Sequence, residues 1–272
     1  MIKRLTPQEQ FELEPKRWPF KLAVAFVFLA AMVWSSSATE STGAGLGGMQ
    51  IARSILMGIV QPDASLLLNF SRQGVPYLLL ETMAIAYLGT IVGAIIAIPL
   101  AFMSATNISI KPVVILGRGV TIAIRTIPVM IYGLMFIRVT GPGPFAGLLT
   151  LSLASVGMVA KMYTEYIEDL DKGIIEALDA IGCTPFQKIR YGILPQLIPD
   201  FLSTIIYRYD MNLRDATVLG LVGAGGIGPP LIFAMSNFRW NEAGAILIGL
   251  VVLILIVEMI SGRVRRKLTR GV

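Results

Sequence analysis

The 272-residue chain is 55% hydrophobic and only 15% charged, whereas soluble domains carry roughly a quarter charged residues. It is too poor in polar surface for water and reads as a membrane protein. A formal net charge of +6, no histidine and a single cysteine, Cys183, exclude an internal disulfide and a histidine-based triad and remove the commonest metal ligand. No catalytic residue and no metal site is therefore expected.

Residues 1–19 form a basic amino-terminal segment, and the first apolar stretch, Phe20 to Ser36, follows it. Leu22 to Trp34, flanked by Lys16, Arg17 and Lys21 and then by Ser36, Ser37 and Ala38, also has the layout of a cleavable leader. A retained first transmembrane helix over 20–36 is the expectation. Residues 37–74 make an external linker in which ESTGAGLGG reads as flexible. The next stretch, MQIARSILMGIV, sets Ile51, Ile55 and Ile59 on one helical face with Leu56 beside them, as an interfacial helix does.

Residues 75–262 then form one membrane core of five further helices: Val75 to Met103, Pro112 to Ile137, Phe145 to Tyr163, Gln196 to Gly220 and Ala243 to Ser261. Each comes near the ~20 residues a helix needs to cross ~30 Å of hydrocarbon. Residues 263–272 are a basic tail. Six spans with both termini in the cytoplasm place Lys111, Lys161, Lys172, Lys188, Arg190 and the cluster Arg263 to Arg270 inside, and leave Arg53, Arg72, Arg138 and Arg239 outside. That asymmetry is the positive-inside pattern. The basic residues thus meet membrane lipid and cytoplasmic protein, and nucleic acid is excluded as a partner.

Charges inside the spans need compensation, because each costs at least ~2.5 kcal/mol on the insertion scale. In IIYRYDMNLRDATVLG, Asp210 and Arg214 share one helical face, while Arg208, Asn212 and Asp215 cluster on nearly the opposite one. Internal ion pairs that fix packing are one reading; a hydrated passage for a charged solute is the other. Arg118 and Arg125, seven apart, have no acidic residue in their own segment, and Glu81 is a candidate partner for one of them. Excess guanidinium at mid-depth suits a tetrahedral oxyanion, which arginine binds through several directed donors.

LGLVGAGGIGPP matches the dinucleotide pattern G-x-G-x-x-G at Gly223, Gly225 and Gly228, with Glu242 near the acidic position. The pattern requires a strand before the loop and a second strand ending in the acid. Here an apolar helical stretch precedes the glycines and two prolines follow, so nucleotide binding is rejected. Gly223, Gly225, Gly226 and Gly228 are instead expected to form a closely packed turn that walls or gates a path.

Between the fourth and fifth spans lies EALDAIGCTPFQKIRYGILPQ, in the connection 164–195. Glu176 to Ile181 reads as a short helix, Gly182 as a left-handed stop, and Thr184 with Pro185 as the cap and first position of a second segment. The stretch resembles the EAA loop of ABC-importer permeases: Glu176, Ala177, Gly182, Leu194 and Pro195 match at the family's spacing, while Leu178 and Gly192 depart from it. Glu81 to Phe102, RTIPV, GPGPFAG, GMVAKMYTEYIEDLDKG and RYDMNLRDATVLGLVGAGGIG are similar to the phosphonate-importer permeases, although Asp210 stands where that subgroup is expected to carry glutamate.

The resemblance implies an all-α type I ABC-importer (MetI-like) permease fold in the bacterial cytoplasmic membrane. It also implies coupling through Glu176, Ala177, Leu178, Gly182, Leu194 and Pro195 to two ABC ATPase subunits, which carry the ATP and Mg. A second permease copy or paralogue and an external phosphonate-binding protein would complete the assembly. Arg214, Asn212, Asp210, Arg125, Arg118 and Glu81 are the path candidates. Phosphite, phosphate or an amino acid on the same scaffold remains an alternative cargo, and a secondary carrier or channel is the alternative class.

Overall fold

The computed structural model describes residues 18–38 and 46–270, all helix, turn or loop, with no strand among them. The expectations for the amino-terminal segment up to Arg17 and for most of the glycine-rich linker fall outside the described residues. The chain divides into two units, Met1–Ala52 and Arg53–Val272. The first contains α1 (Trp18–Ala38), an apolar helix long enough to cross a membrane, and the first turns of α2 (Leu46–Val60).

The second unit continues α2 and adds α3 (Ala64–Leu67), α4 (Val75–Ser104), α5 (Lys111–Thr126), α6 (Val129–Thr140), α7 (Pro144–Glu168), α8 (Lys172–Ala180), α9 (Pro185–Gln187), a π-helical turn (Lys188–Ile193), α10 (Leu194–Leu221), α11 (Gly228–Ser236) and α12 (Trp240–Arg270). α4 and α7 form its central pair. Gly89 and Gly93, one turn apart on α4, admit α7 so closely that an added Cβ would stand 2.7 Å from Leu151 Cβ or 2.5 Å from Ser155 Cβ. Small residues at such a crossing let backbones approach where lipid supplies no hydrophobic drive. α10 packs across both helices, and Tyr163 of α7 stacks on Phe201 of α10 with ring centroids 3.7 Å apart.

The third expected span differs from its expectation. Pro112 to Ile137 is two helices, α5 and α6, bent by 85°. Pro128 lacks an N–H and disfavours helical geometry at the residue before it, and Ile127 is accordingly extended, with ψ 124°. α1, α4, α7 and α12 pass as spans by length and composition, and the bent pair makes five. α10 is long enough to be a sixth, since its 28 residues reach ~42 Å at 1.5 Å per residue, but with Asp200, Arg208, Asp210, Arg214 and Asp215 along it it does not read as apolar.

Two boundaries shift. Residues 164–168, expected in the connection, complete α7, and the basic tail continues α12 as helix to Arg270. In α2 the buried contact is glycine: a Cβ on Gly244 of α12 would lie 2.0 Å from the Gly58 carbonyl oxygen. Ile51 and Ile59 stay exposed.

Candidate functional site

Two faces of α10 carry its charges. On the inner face Arg208 and Asn212 are buried. Arg208 Nε donates to Ser155 Oγ at 3.0 Å, and Asn212 Nδ2 donates to the same oxygen and to Thr90 Oγ1, both at 2.8 Å. Arg208 also meets Asp215 Oδ2 at 3.7 Å. This polar knot ties α4, α7 and α10 at one level.

On the opposite face Arg214 donates to Asp210 Oδ2 at 3.1 Å and to Glu258 Oε2 of α12 at 3.2 Å. The side chains of Arg214 and Glu258 are 49% and 61% exposed, although both lie within long helices of the membrane core. Ionised side chains this open on otherwise apolar helices call for another protein surface or water beside them. A cavity of about 380 Å³ stands beside them, lined by Asp210, Arg214 and Glu258 together with Tyr207 and Arg265.

Arg118 and Arg125 of α5 are brought together with Lys161 of α7 around a second cavity of about 200 Å³. Arg118 Nη2 straddles the Glu168 carboxylate at 2.7 and 3.0 Å, and its Nε donates to the Ser104 carbonyl. Glu81 pairs with neither arginine. Its Oε1 accepts the Gly226 N–H at 3.4 Å, because it projects from the opposite end of α4 toward the glycine turn.

That turn is dense. Gly223, Gly225 and Gly226 all have positive φ. A Cβ on Gly225 would be 2.7 Å from Pro144 Cα, one on Gly226 2.6 Å from Thr82 Oγ1, and one on Gly228 2.2 Å from the Gly220 carbonyl carbon. The Gly143 N–H donates to the Gly223 carbonyl, and the Ile227 N–H to Thr82 Oγ1. The turn therefore locks the loop before α7 and the start of α4 to the end of α10. Glu242 pairs with Arg239.

The connection follows its local chemistry. Asp171 caps α8 by accepting the Gly173 N–H, Gly182 takes φ +77°, and Thr184 and Gln187 cap each other reciprocally. Lys188 pairs with Asp179 across the bend. Glu176, Ala177 and Gly182 are exposed and Leu178 is half-buried. Ile181, Phe186 and Tyr191 stand exposed beside them, an apolar surface typical of a docking site. The π-helical turn then runs into α10 without a break: Ile193 and Leu194 both have helical backbone angles, and Pro195 sits in the first turn of α10.

Sequence reasoning missed Glu168, Glu258, Ser155 and Thr90. The two glutamates are 50 and 44 residues from the arginines they hold, and no local spacing signals such pairs. Ser155 and Thr90 sit in apolar runs as ordinary small helix residues.

Residues 89–272 match the family described as binding-protein-dependent transport system inner membrane component. The chain belongs to that family. The permease is 32% identical over 247 residues to the phosphite transport system permease protein PtxC of Stutzerimonas stutzeri, across 90% of this chain and 88% of that one. It is 36% identical over 189 residues to the phosphate-import permease protein PhnE of Mycolicibacterium smegmatis, across 69% of this chain and 36% of that one. A chain of the MetNI methionine ABC transporter, solved in inward-facing conformations, superposes with a TM-score of 0.62 at 22% identity, covering 69% of this permease and 93% of itself. The fold is thus the expected MetI-like one, in a multi-pass membrane protein.

Proposed function

We propose that this permease forms the translocation path of an ATP-driven importer for small tetrahedral phosphorus oxyanions: phosphonates, with phosphite and phosphate as the alternatives within the class. Two relatives named for phosphite and phosphate, and an arginine-rich path, support this cargo. Two ATPase subunits carry ATP and Mg, this chain performs no covalent chemistry, and an external binding protein delivers the anion. A second copy or a paralogue faces the Asp210, Arg214 and Glu258 side, closing a shared path in which Asn212, Arg125, Arg118 and Glu81 order the walls. Both termini lie in the cytoplasm.

One observation carries the mechanism: the exposed bend around Gly182 is joined to α10 through an unbroken helical run. Glu176, Ala177, Leu178 and Gly182 seat in the ATPase, and its closure on ATP pushes the bend. Leu194 and Pro195 pass the displacement into α10, which carries Arg208 to Asp215 and, at its far end, the Gly223 to Gly228 turn that gates the outer side.

The test is uptake into proteoliposomes holding the permease, its ATPase and its binding protein. Methylphosphonate, phosphite or phosphate accumulates only with ATP. Accumulation on an ion gradient without ATP returns the protein to the carrier class, and uptake of amino acids alone overturns the cargo.

A further inference from the structure

The cavity between α5 and α7 is lined by Arg118, Arg125, Lys161, Ser104, Thr121 and Thr164. Its volume of about 200 Å³ is several times a water molecule's ~30 Å³ share of liquid and below the ~300 Å³ where drug-sized pockets begin. It suits a small ion with a few waters. The cations are unequally committed. Arg118 is held by Glu168 and Lys161 by Glu165 at 2.7 Å, so two of the three positive charges are already balanced. Arg125 makes no ion pair among the described residues, and its stem packs on the α7 backbone: a Cβ on Gly157 would lie 2.9 Å from Arg125 Cγ. That contact fixes where its guanidinium can reach.

The hydroxyls add a second element. Each has a single proton, and each donates it to a carbonyl of its own helix: Ser104 to Leu100 at 2.7 Å, Thr121 to Gly117 at 2.9 Å, Thr164 to Ala160 at 2.7 Å. Toward the cavity these oxygens offer lone pairs only. A rim of cations with hydroxyl acceptors matches an oxyanion that retains a proton. Phosphonate, phosphite and phosphate carry P–OH in a substantial fraction near neutral pH; sulfate carries no proton there.

We infer that this cavity is a cytoplasm-facing site for a protonated phosphorus oxyanion, with Arg125 as its principal charge and the hydroxyl oxygens as its filter against sulfate. The inference rests on the proposed cargo and orientation. Imported anion pauses here on release, and accumulated cytoplasmic anion occupies the same site.

Calorimetric titration of the permease–ATPase complex in nanodiscs, without binding protein, tests it with inorganic phosphate, methylphosphonate and sulfate. Phosphate and methylphosphonate bind at least tenfold more tightly than sulfate; Arg125→Gln lowers phosphate affinity at least tenfold; Thr121→Val narrows the preference over sulfate. Both variants still copurify with the ATPase. Equal sulfate binding, or unchanged phosphate affinity in Arg125→Gln, overturns the site. If ATP-driven uptake of phosphorus oxyanions persists in that case, only this inference fails; if the wild-type complex imports none of them, the cargo assignment fails with it.

Discussion

One guanidinium nitrogen of Arg118 bridges both carboxylate oxygens of Glu168, at 2.7 and 3.0 Å, and joins α5 to the last residue of α7. The same carboxylate accepts the Thr106 N–H at 2.7 Å and its hydroxyl at 2.5 Å. Glu168 lies three residues before Asp171, the cap of α8, so this clamp sets where the connection between α7 and α10 departs from the membrane core.

Replacing Glu168 by glutamine keeps the shape and removes the charge. Hydrogen bonds to charged groups contribute about 1.5–3 kcal/mol each, reduced here because Arg118 is nearly half exposed. We expect a melting temperature lower by a few degrees and fewer anions transported per ATP hydrolysed. Paired uptake and phosphate-release assays check the ratio.

Ser155 Oγ receives both Arg208 and Asn212, so Ser155→Ala leaves two buried donors short of a partner at about 1–3 kcal/mol each. Ser152→Ala, one turn earlier, removes a hydroxyl bonded only to its own helix at Leu148 and is expected to be near neutral. Thermal unfolding of the two variants in one detergent makes the comparison.

Gly228→Ala places a Cβ 2.2 Å from backbone, whereas Gly119→Ala on α5 meets nothing within 4 Å. Overpacking costs about 1–3 kcal/mol, and relieving glycine inside a helix gains roughly 0.5–1 kcal/mol. Folded yield and melting temperature should fall for the first and hold or rise for the second.

Phe186 is 68% exposed, so Phe186→Ala leaves the isolated permease as stable as before. Removing an aromatic anchor from a docked interface costs at least about 1.4 kcal/mol, a tenfold affinity loss. Copurification with the ATPase subunit should drop accordingly.

Much of the architecture is legible in local chemistry. Gly182, Thr184 and Pro185 announce the bend of the connection because a left-handed glycine and a hydroxyl cap act within a few residues. The break at Pro128 is not legible, because apolar residues run continuously through it and proline alone does not decide. Pro99 and Pro199 sit inside α4 and α10, which remain helical. What distinguishes Pro128 is the turn of α6 toward α7, a tertiary preference. The interhelical partners of Arg118 and Arg214 are hidden for the same reason, since Glu168 and Glu258 reach them through packing between distant helices, whereas the Asp210–Arg214 pair, four residues apart, is legible.

The central claim is that the Gly182 bend faces the cytoplasm and seats in an ATPase, and Cys183, the chain's single cysteine, lies within that bend, partly accessible. Labelling with a membrane-impermeant maleimide measures both properties on the wild-type protein. Modification in inside-out vesicles stripped of ATPase, none from the outer face of intact cells, and protection when the ATPase subunit is added back is the predicted result. Labelling from outside, or labelling undiminished by the ATPase, would contradict the account.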